Sequence, residues 1–111
     1  MRVLIVKMSS LGDVIHTLPA LTDSLAAYPE LRFDWVVEEA FSEVPGWHPA
    51  VERVLPIALR RWRKQPFTSF SGPEWRDFRR SLGSVHYDRV IDAQGLLKSA
   101  FVARLARAPL Y

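Results

Sequence analysis

The run Val3-Leu4-Ile5-Val6, followed by Lys7-Met8-Ser9-Ser10-Leu11-Gly12-Asp13, constrains the fold more than any other stretch of the chain. Consecutive apolar residues read as a strand buried on both faces. The strand breaks into a small polar loop, Ser9-Ser10 and then Gly12, and a helical pattern starts at once behind it. Strand, small-residue loop and helix together are how an open α/β sheet builds a ligand site at the carboxyl end of its first strand. Asp13 falls where that helix begins, aimed at the crevice. The glycine spacing fits neither a GxGxxG fingerprint nor a Walker loop, so the substrate logic differs from that of a plain dinucleotide cradle.

The rest of the chain repeats the alternation. Strands are predicted over residues 2–7, 31–37, 51–57 and 87–91. Helices are predicted over residues 12–28, 40–44, 74–82 and 96–107. The first helix carries Val14, Leu18, Leu21 and Leu25 at three- and four-residue spacing. Pro19 lies inside it and is expected to kink or split it. Pro56 is expected to break the third strand near its end. Residues 65–73 read as a loop, long for a compact domain. The order β-α-β-α-β-α-β-α implies a Rossmann-like parallel sheet with right-handed crossovers. The last helix should lead into another strand, and a fourth parallel strand left at an edge is unfavourable. The chain therefore reads as part of a larger protein.

Composition narrows the classes. The 111 residues are 49% hydrophobic, enough for a globular core. The absence of cysteine excludes a disulfide framework and a thiolate metal site. No apolar stretch approaches the ~20 residues needed to span a bilayer, and the amino terminus lacks a signal-peptide pattern. A soluble, cytoplasmic protein is expected. The net charge of +3 is unevenly spread. Arg60-Arg61-Trp62-Arg63-Lys64 and the set Arg76, Arg79 and Arg80 hold much of the basic charge, which points to an acidic partner. The remaining charge is too balanced for a nucleic-acid module.

Several residues stand out for chemistry, each with two readings. Asp13 is either an acid favoured by the helix dipole or a general base at the mouth of the crevice. His16, one turn on, is either a packing or capping residue or a participant in the chemistry. The tract Arg60-Arg61-Trp62-Arg63-Lys64 is either a solvated charge run or an anion site, since guanidinium groups grip phosphate and carboxylate in a bidentate fork. Asp92-Ala93-Gln94-Gly95-Leu96-Leu97-Lys98-Ser99 ends the fourth strand, expected beside the first. Lys98 in the first turn of a helix opposes the dipole unless an anion offsets it. Glu38-Glu39 either faces the same crevice or is a pair of surface carboxylates. The four tryptophans, Trp35, Trp47, Trp62 and Trp75, read as core or ledge residues.

Four segments in order carry a resemblance. They are Lys7-Met8-Ser9-Ser10-Leu11-Gly12-Asp13-Val14-Ile15-His16-Thr17-Leu18-Pro19-Ala20, Phe33-Asp34-Trp35-Val36-Val37-Glu38-Glu39, Arg60-Arg61-Trp62-Arg63-Lys64 and Val90-Ile91-Asp92-Ala93-Gln94-Gly95-Leu96-Leu97-Lys98-Ser99. The chain resembles the ADP-heptose glycosyltransferases of glycosyltransferase family 9. The resemblance implies the GT-B architecture, two Rossmann-like domains with the active site between them. This chain then makes up most of the amino-terminal, acceptor-binding domain, and the carboxy-terminal, donor-binding domain is absent. It implies inverting transfer of L-glycero-D-manno-heptose from ADP-heptose to the inner Kdo of Kdo-lipid A, in lipopolysaccharide core biosynthesis. By the same resemblance Asp13 is the catalytic base, and Lys7, Ser9, Ser10 and Gly12 form its loop. Arg60, Arg61, Arg63 and Lys64 meet the acceptor's carboxylates and phosphates, with Gln94 and Lys98 contributing to the same site. No metal or other cofactor is implied. A cytoplasmic location, peripheral to the inner membrane, is. The reading from another class is an anion- or sugar-binding α/β module without catalysis. A nucleotide or flavodoxin-like enzyme is disfavoured by the missing phosphate-cradling glycine loop.

Overall fold

The computed structural model describes residues 1–93. The final predicted helix, with Gln94 and Lys98, lies outside the described residues. Four strands, β1 (Arg2–Val6), β2 (Arg32–Glu38), β3 (Val51–Ile57) and β4 (Arg89–Asp92), form one sheet in the order β3-β2-β1-β4. Every pairing is parallel, so all four carboxyl ends lie along one edge. The expected Rossmann-like parallel sheet is present, with β4 beside β1.

The helices are α1 (Leu11–Ala27), α2 (Leu59–Trp62), α3 (Pro66–Ser69) and α4 (Pro73–Gly83). Alternate strand residues feed two cores. On one face Val3, Ile5, Phe33, Trp35 and Val37 pack with Val14 and Leu21 of α1. On the other, Leu4, Val6, Val36, Leu55, Ile57 and Val90 pack with Leu59 and Trp62 of α2 and Trp75, Phe78 and Leu82 of α4. Burying each such side chain contributes about 1.5–3 kcal/mol, so the two faces are what hold the short helices in place.

Several boundaries differ from expectation for identifiable reasons. Pro19 does not split α1, which runs unbroken for 17 residues. The proline is exposed, and Val14, Leu18, Leu21 and Leu25 on either side of it are packed into the core on that face of the sheet. Pro56 does not break β3 either. Among the described residues that strand pairs with β2 alone, so a proline pointing its missing N–H away from β2 removes no ladder bond. The helix expected at 40–44 is two 3₁₀ turns, Glu39–Phe41 and Pro45–Trp47. The loop at 65–73 contains the single turn α3. Tyr87 precedes β4 rather than opening it.

One polar cluster penetrates the sheet. Asp34 on β2 is fully buried and accepts hydrogen bonds from Arg2 Nε and Nη2 (3.1 and 2.8 Å), Arg53 Nε (3.0 Å) and the Tyr87 hydroxyl (2.5 Å). Arg53 also donates to Ser81 O at the end of α4. One carboxylate thus ties β1, β2, β3, α4 and the approach to β4.

Candidate functional site at the carboxyl edge of the sheet

The loop behind β1 is built as the sequence suggests, with one shift. The helix opens at Leu11, so Gly12 lies inside its first turn rather than in the loop. A Cβ on Gly12 would meet nothing within 4 Å. Packing therefore does not require a glycine there. Ser10 is the N-cap residue, and its N–H donates to Asp13 Oδ2 at 3.4 Å. The dipole reading of Asp13 is thus realised. Its Oδ1 has no hydrogen-bond partner among the described residues, and the side chain is exposed at the edge where the strands end. A carboxylate so held is oriented and still has one oxygen able to accept a proton.

Lys7 leaves β1 at the same edge. Its Nζ donates to Ala93 O at 3.2 Å, joining the ends of β1 and β4, while its carbonyl accepts from Trp35 Nε1 at 3.0 Å. The Met8 carbonyl accepts the Glu38 N–H at 3.0 Å, which joins the loop to the end of β2. His16 is exposed on α1.

The basic tract begins three residues after β3, at the same edge. Leu59 and Trp62 are buried, so α2 presents Arg60 and Arg61 outward. Trp62 packs edge-on against Phe70, Trp75 and Phe78, with ring centroids 5.8–6.3 Å apart. The cations are not equivalent. Arg61 is engaged by Glu39 and Glu74, whereas Arg60, Arg63 and Lys64 make no side-chain hydrogen bond or ion pair among the described residues. A recess of about 220 Å³ beside them is lined by Arg61, Trp62, Gln65, Thr68, Ser69 and Gly72.

Glu38 and Glu39 part company. Glu39 is exposed, but Glu38 is 6% exposed, and its carboxyl lies close to the backbone N–H groups of Leu59 and Arg60 at the start of α2. Burial pushes its carboxyl above the ordinary range, and those two N–H groups pull it back part of the way. Reading Glu38 as a surface carboxylate is corrected on this ground. Of the tryptophans, Trp35, Trp62 and Trp75 are core, and Trp47 is exposed. The edge thus carries the Lys7–Asp13 loop, the Glu38 end of β2 and the tract. No hydrogen bond or ion pair among the described residues joins Asp13 to the tract.

A family model described as glycosyltransferase family 9 (heptosyltransferase) matches residues 75–111. The chain is 64% identical over 104 residues to lipopolysaccharide heptosyltransferase 1 of Pseudomonas aeruginosa, covering 94% of this chain and 29% of that protein. It is 62% identical over 107 residues to the protein of the same name from Escherichia coli K12, covering 96% and 34%. The chain is similar along nearly its whole length to the amino-terminal part of lipopolysaccharide heptosyltransferase 1. It spans about a third of the length of these relatives. The structure superposes on the Escherichia coli heptosyltransferase WaaC solved with ADP at a TM-score of 0.94 and 59% identity, over 99% of this chain and 35% of that one. A family 9 glycosyl transferase from Veillonella parvula, 19% identical, shares the fold at a TM-score of 0.78, over 97% of this chain and 30% of that one. The four-stranded parallel sheet flanked by helices therefore has the fold of the matching part of those glycosyltransferases.

Proposed function

We propose that the protein to which this chain contributes its amino-terminal domain is an inverting heptosyltransferase. It moves L-glycero-D-manno-heptose from ADP-heptose to the inner Kdo of Kdo-lipid A. The observation that carries this reading is the likeness to the WaaC heptosyltransferase solved with ADP-2-deoxy-2-fluoro heptose, at a TM-score of 0.91 and 57% identity over 99% of this chain. That structure's chain is about three times as long, so the donor contacts are assigned mainly to sequence outside the present chain, and acceptor binding to this domain.

In this reading the acceptor lies along the carboxyl edge. Its hydroxyl oxygen attacks the anomeric carbon of the heptose, forming the new C–O bond. The bond from that carbon to the phosphate oxygen breaks, and ADP leaves. The hydroxyl proton passes to Asp13, whose Oδ1 is available while Oδ2 is held by the Ser10 N–H. Lys7, Ser9 and Ser10 shape the loop around that oxygen, and Gly12 the first helical turn beside it. The cations of the tract meet the acceptor's carboxylates and phosphates, where a fixed positive field costs no reorganisation during reaction. Gln94 and Lys98 are assigned to the same site from the sequence. No metal ion is assigned, and no group of three ligand residues able to hold one occurs among the described residues. The acceptor is a lipid, so we assign the protein to the cytoplasmic face of the inner membrane, bound peripherally.

The test is product formation by the whole protein. Incubation with ADP-heptose and Kdo-lipid A should release ADP in step with heptosylated lipid. ADP release without heptosylated lipid, or no turnover with this pair, would overturn the assignment.

A further inference from the structure

The four cations of the tract fall into two kinds. Arg61 Nε and Nη2 donate to the two carboxylate oxygens of Glu39 at 3.1 and 3.2 Å. Its Nη1 and Nη2 donate to the two oxygens of Glu74 at 2.9 and 2.5 Å. Every nitrogen of one guanidinium is therefore spent on two bidentate pairs, the geometry in which arginine binds carboxylate best. The two partners come from different elements. Glu39 follows β2, and Glu74 is in the first turn of α4. Arg61 itself is on α2, so the three meet at the carboxyl edge. The ion pair holds the Glu74 carboxyl below its ordinary range.

Charge decides what such a group can do for an anionic ligand. One guanidinium between two carboxylates leaves a local net charge of −1. A phosphate or carboxylate approaching Arg61 would meet that negative charge and would have to displace both glutamates to bind. Arg63 and Lys64 have no carboxylate partner among the described residues, and Arg60 has only the single charge of Glu38 near it, so none of the three sits between two glutamates as Arg61 does.

We propose that Arg61 is a latch and not an acceptor ligand: gripped by Glu39 and Glu74, it fixes α2 so that Arg60, Arg63 and Lys64 stay aimed at the acceptor's anions. Arg61 is on this view a positioning residue. Two further contacts hold α2 in the same place, the Glu38 carboxylate on its first N–H groups and Trp62 in its aromatic nest. The proposal rests on the reading of the tract as an acceptor site, and it gives the four cations separate tasks within it.

The two possibilities for Arg61 predict opposite signs. The experiment is steady-state kinetics of the whole protein with ADP-heptose and Kdo-lipid A at low ionic strength, with melting temperatures measured alongside. If Arg61 is a latch, Glu39→Gln with Glu74→Gln raises the acceptor KM by about threefold to tenfold, the range two exposed ion pairs can supply. Arg61→Gln raises it by the same factor, and combining all three changes adds nothing, because all three remove one device. In each case the acceptor KM moves more than kcat or the donor KM. If Arg61 binds the acceptor, removing the two glutamates frees it, and the acceptor KM falls. That fall would overturn the proposal. A drop in melting temperature with the acceptor KM unmoved would also overturn it, leaving only a staple of the fold. The triple change Arg60→Gln, Arg63→Gln, Lys64→Gln checks the underlying reading separately. An unmoved acceptor KM there would remove the acceptor site and the latch together. A raised one supports the site, and the glutamate variants then decide between latch and ligand for Arg61.

Discussion

Asp13 and Gly12 divide what a residue can reveal of itself. Asp13 was legible in the sequence as an acid at a helix start after a strand, and the structure gives it that place. The helix cap uses one oxygen of the carboxylate, for the Ser10 N–H, and the base role proposed above would use the other. Asp13→Asn keeps an oxygen for the cap and loses the base. The fold should survive, and kcat should fall by about 10²–10⁴-fold, the usual contribution of a general base. A turnover number close to that of the unaltered protein would remove Asp13 from the chemistry. Gly12 was legible as special and misplaced by one element. It is a helical residue facing open space, so neither backbone conformation nor packing calls for glycine. Gly12→Ala should therefore leave stability unchanged or raise it by up to about 1 kcal/mol. If the acceptor approaches that space, one methyl group in its way costs about 1–3 kcal/mol of binding, which acceptor KM would show. Raised stability with an unmoved KM would mean that the acceptor lies elsewhere.

At the scale of elements, the strands were legible as short apolar runs buried on both faces, and the first helix by apolar residues at three- and four-residue spacing. The connections were not. Residues 59–62 and 66–69 form single turns with no periodicity to detect, and they are held by Trp62 and its aromatic neighbours rather than by propensity. The Asp34 cluster does leave a signal in the sequence. An acid between Phe33 and Trp35 in a strand buried on both sides must find partners; the parallel register sets Arg53 beside it, and Arg2 reaches it from two residues along β1. Asp34→Ala strands two guanidinium groups, though each is about a third exposed and can turn toward water. The loss should be about 2–4 kcal/mol, somewhat below that for breaking a fully buried pair. Tyr87→Phe removes one donor and should cost about 1–2 kcal/mol. Urea midpoints of the transition that reports this domain decide both, and a shift for Tyr87→Phe as large as that for Asp34→Ala would misassign the hub. Glu38 adds a pH dependence. Its folded carboxyl lies above the ordinary 4.5, so the folded state holds the proton more tightly than the unfolded chain does. This group's cost is absent below the ordinary range. It grows as pH rises from 4.5 toward the folded value and is complete above it. Glu38→Gln keeps an acceptor for the Leu59 and Arg60 N–H groups and removes the charge. The stability of the variant relative to the unaltered protein should then climb with pH across that window, and a gap that narrows instead would mean that burial is not the dominant influence.

For the molecule as a whole, the distribution of groups matters more than any one of them. The carboxyl edge supplies an oriented carboxylate, a lysine that ties β1 to β4, and three cations, Arg60, Arg63 and Lys64, whose side chains make no hydrogen bond among the described residues. These are features suited to presenting an anionic acceptor. The relatives are about three times as long as this chain. Transfer needs the donor's anomeric carbon and the acceptor oxygen held in line at close range, which accounts for about 7–11 kcal/mol of barrier lowering when both are fixed. One wall of a cleft can fix only one of them. The 111-residue chain incubated with ADP-heptose and Kdo-lipid A should therefore release no ADP above the rate without protein. It should still bind acceptor anions weakly through the tract, and that binding should fade with added salt, because exposed charges are screened within about 10 Å at 0.1 M. Heptosylated lipid formed by this chain alone would show that the donor site has been assigned to the wrong part of the protein. Salt-insensitive acceptor binding would show that contacts other than the exposed cations dominate it.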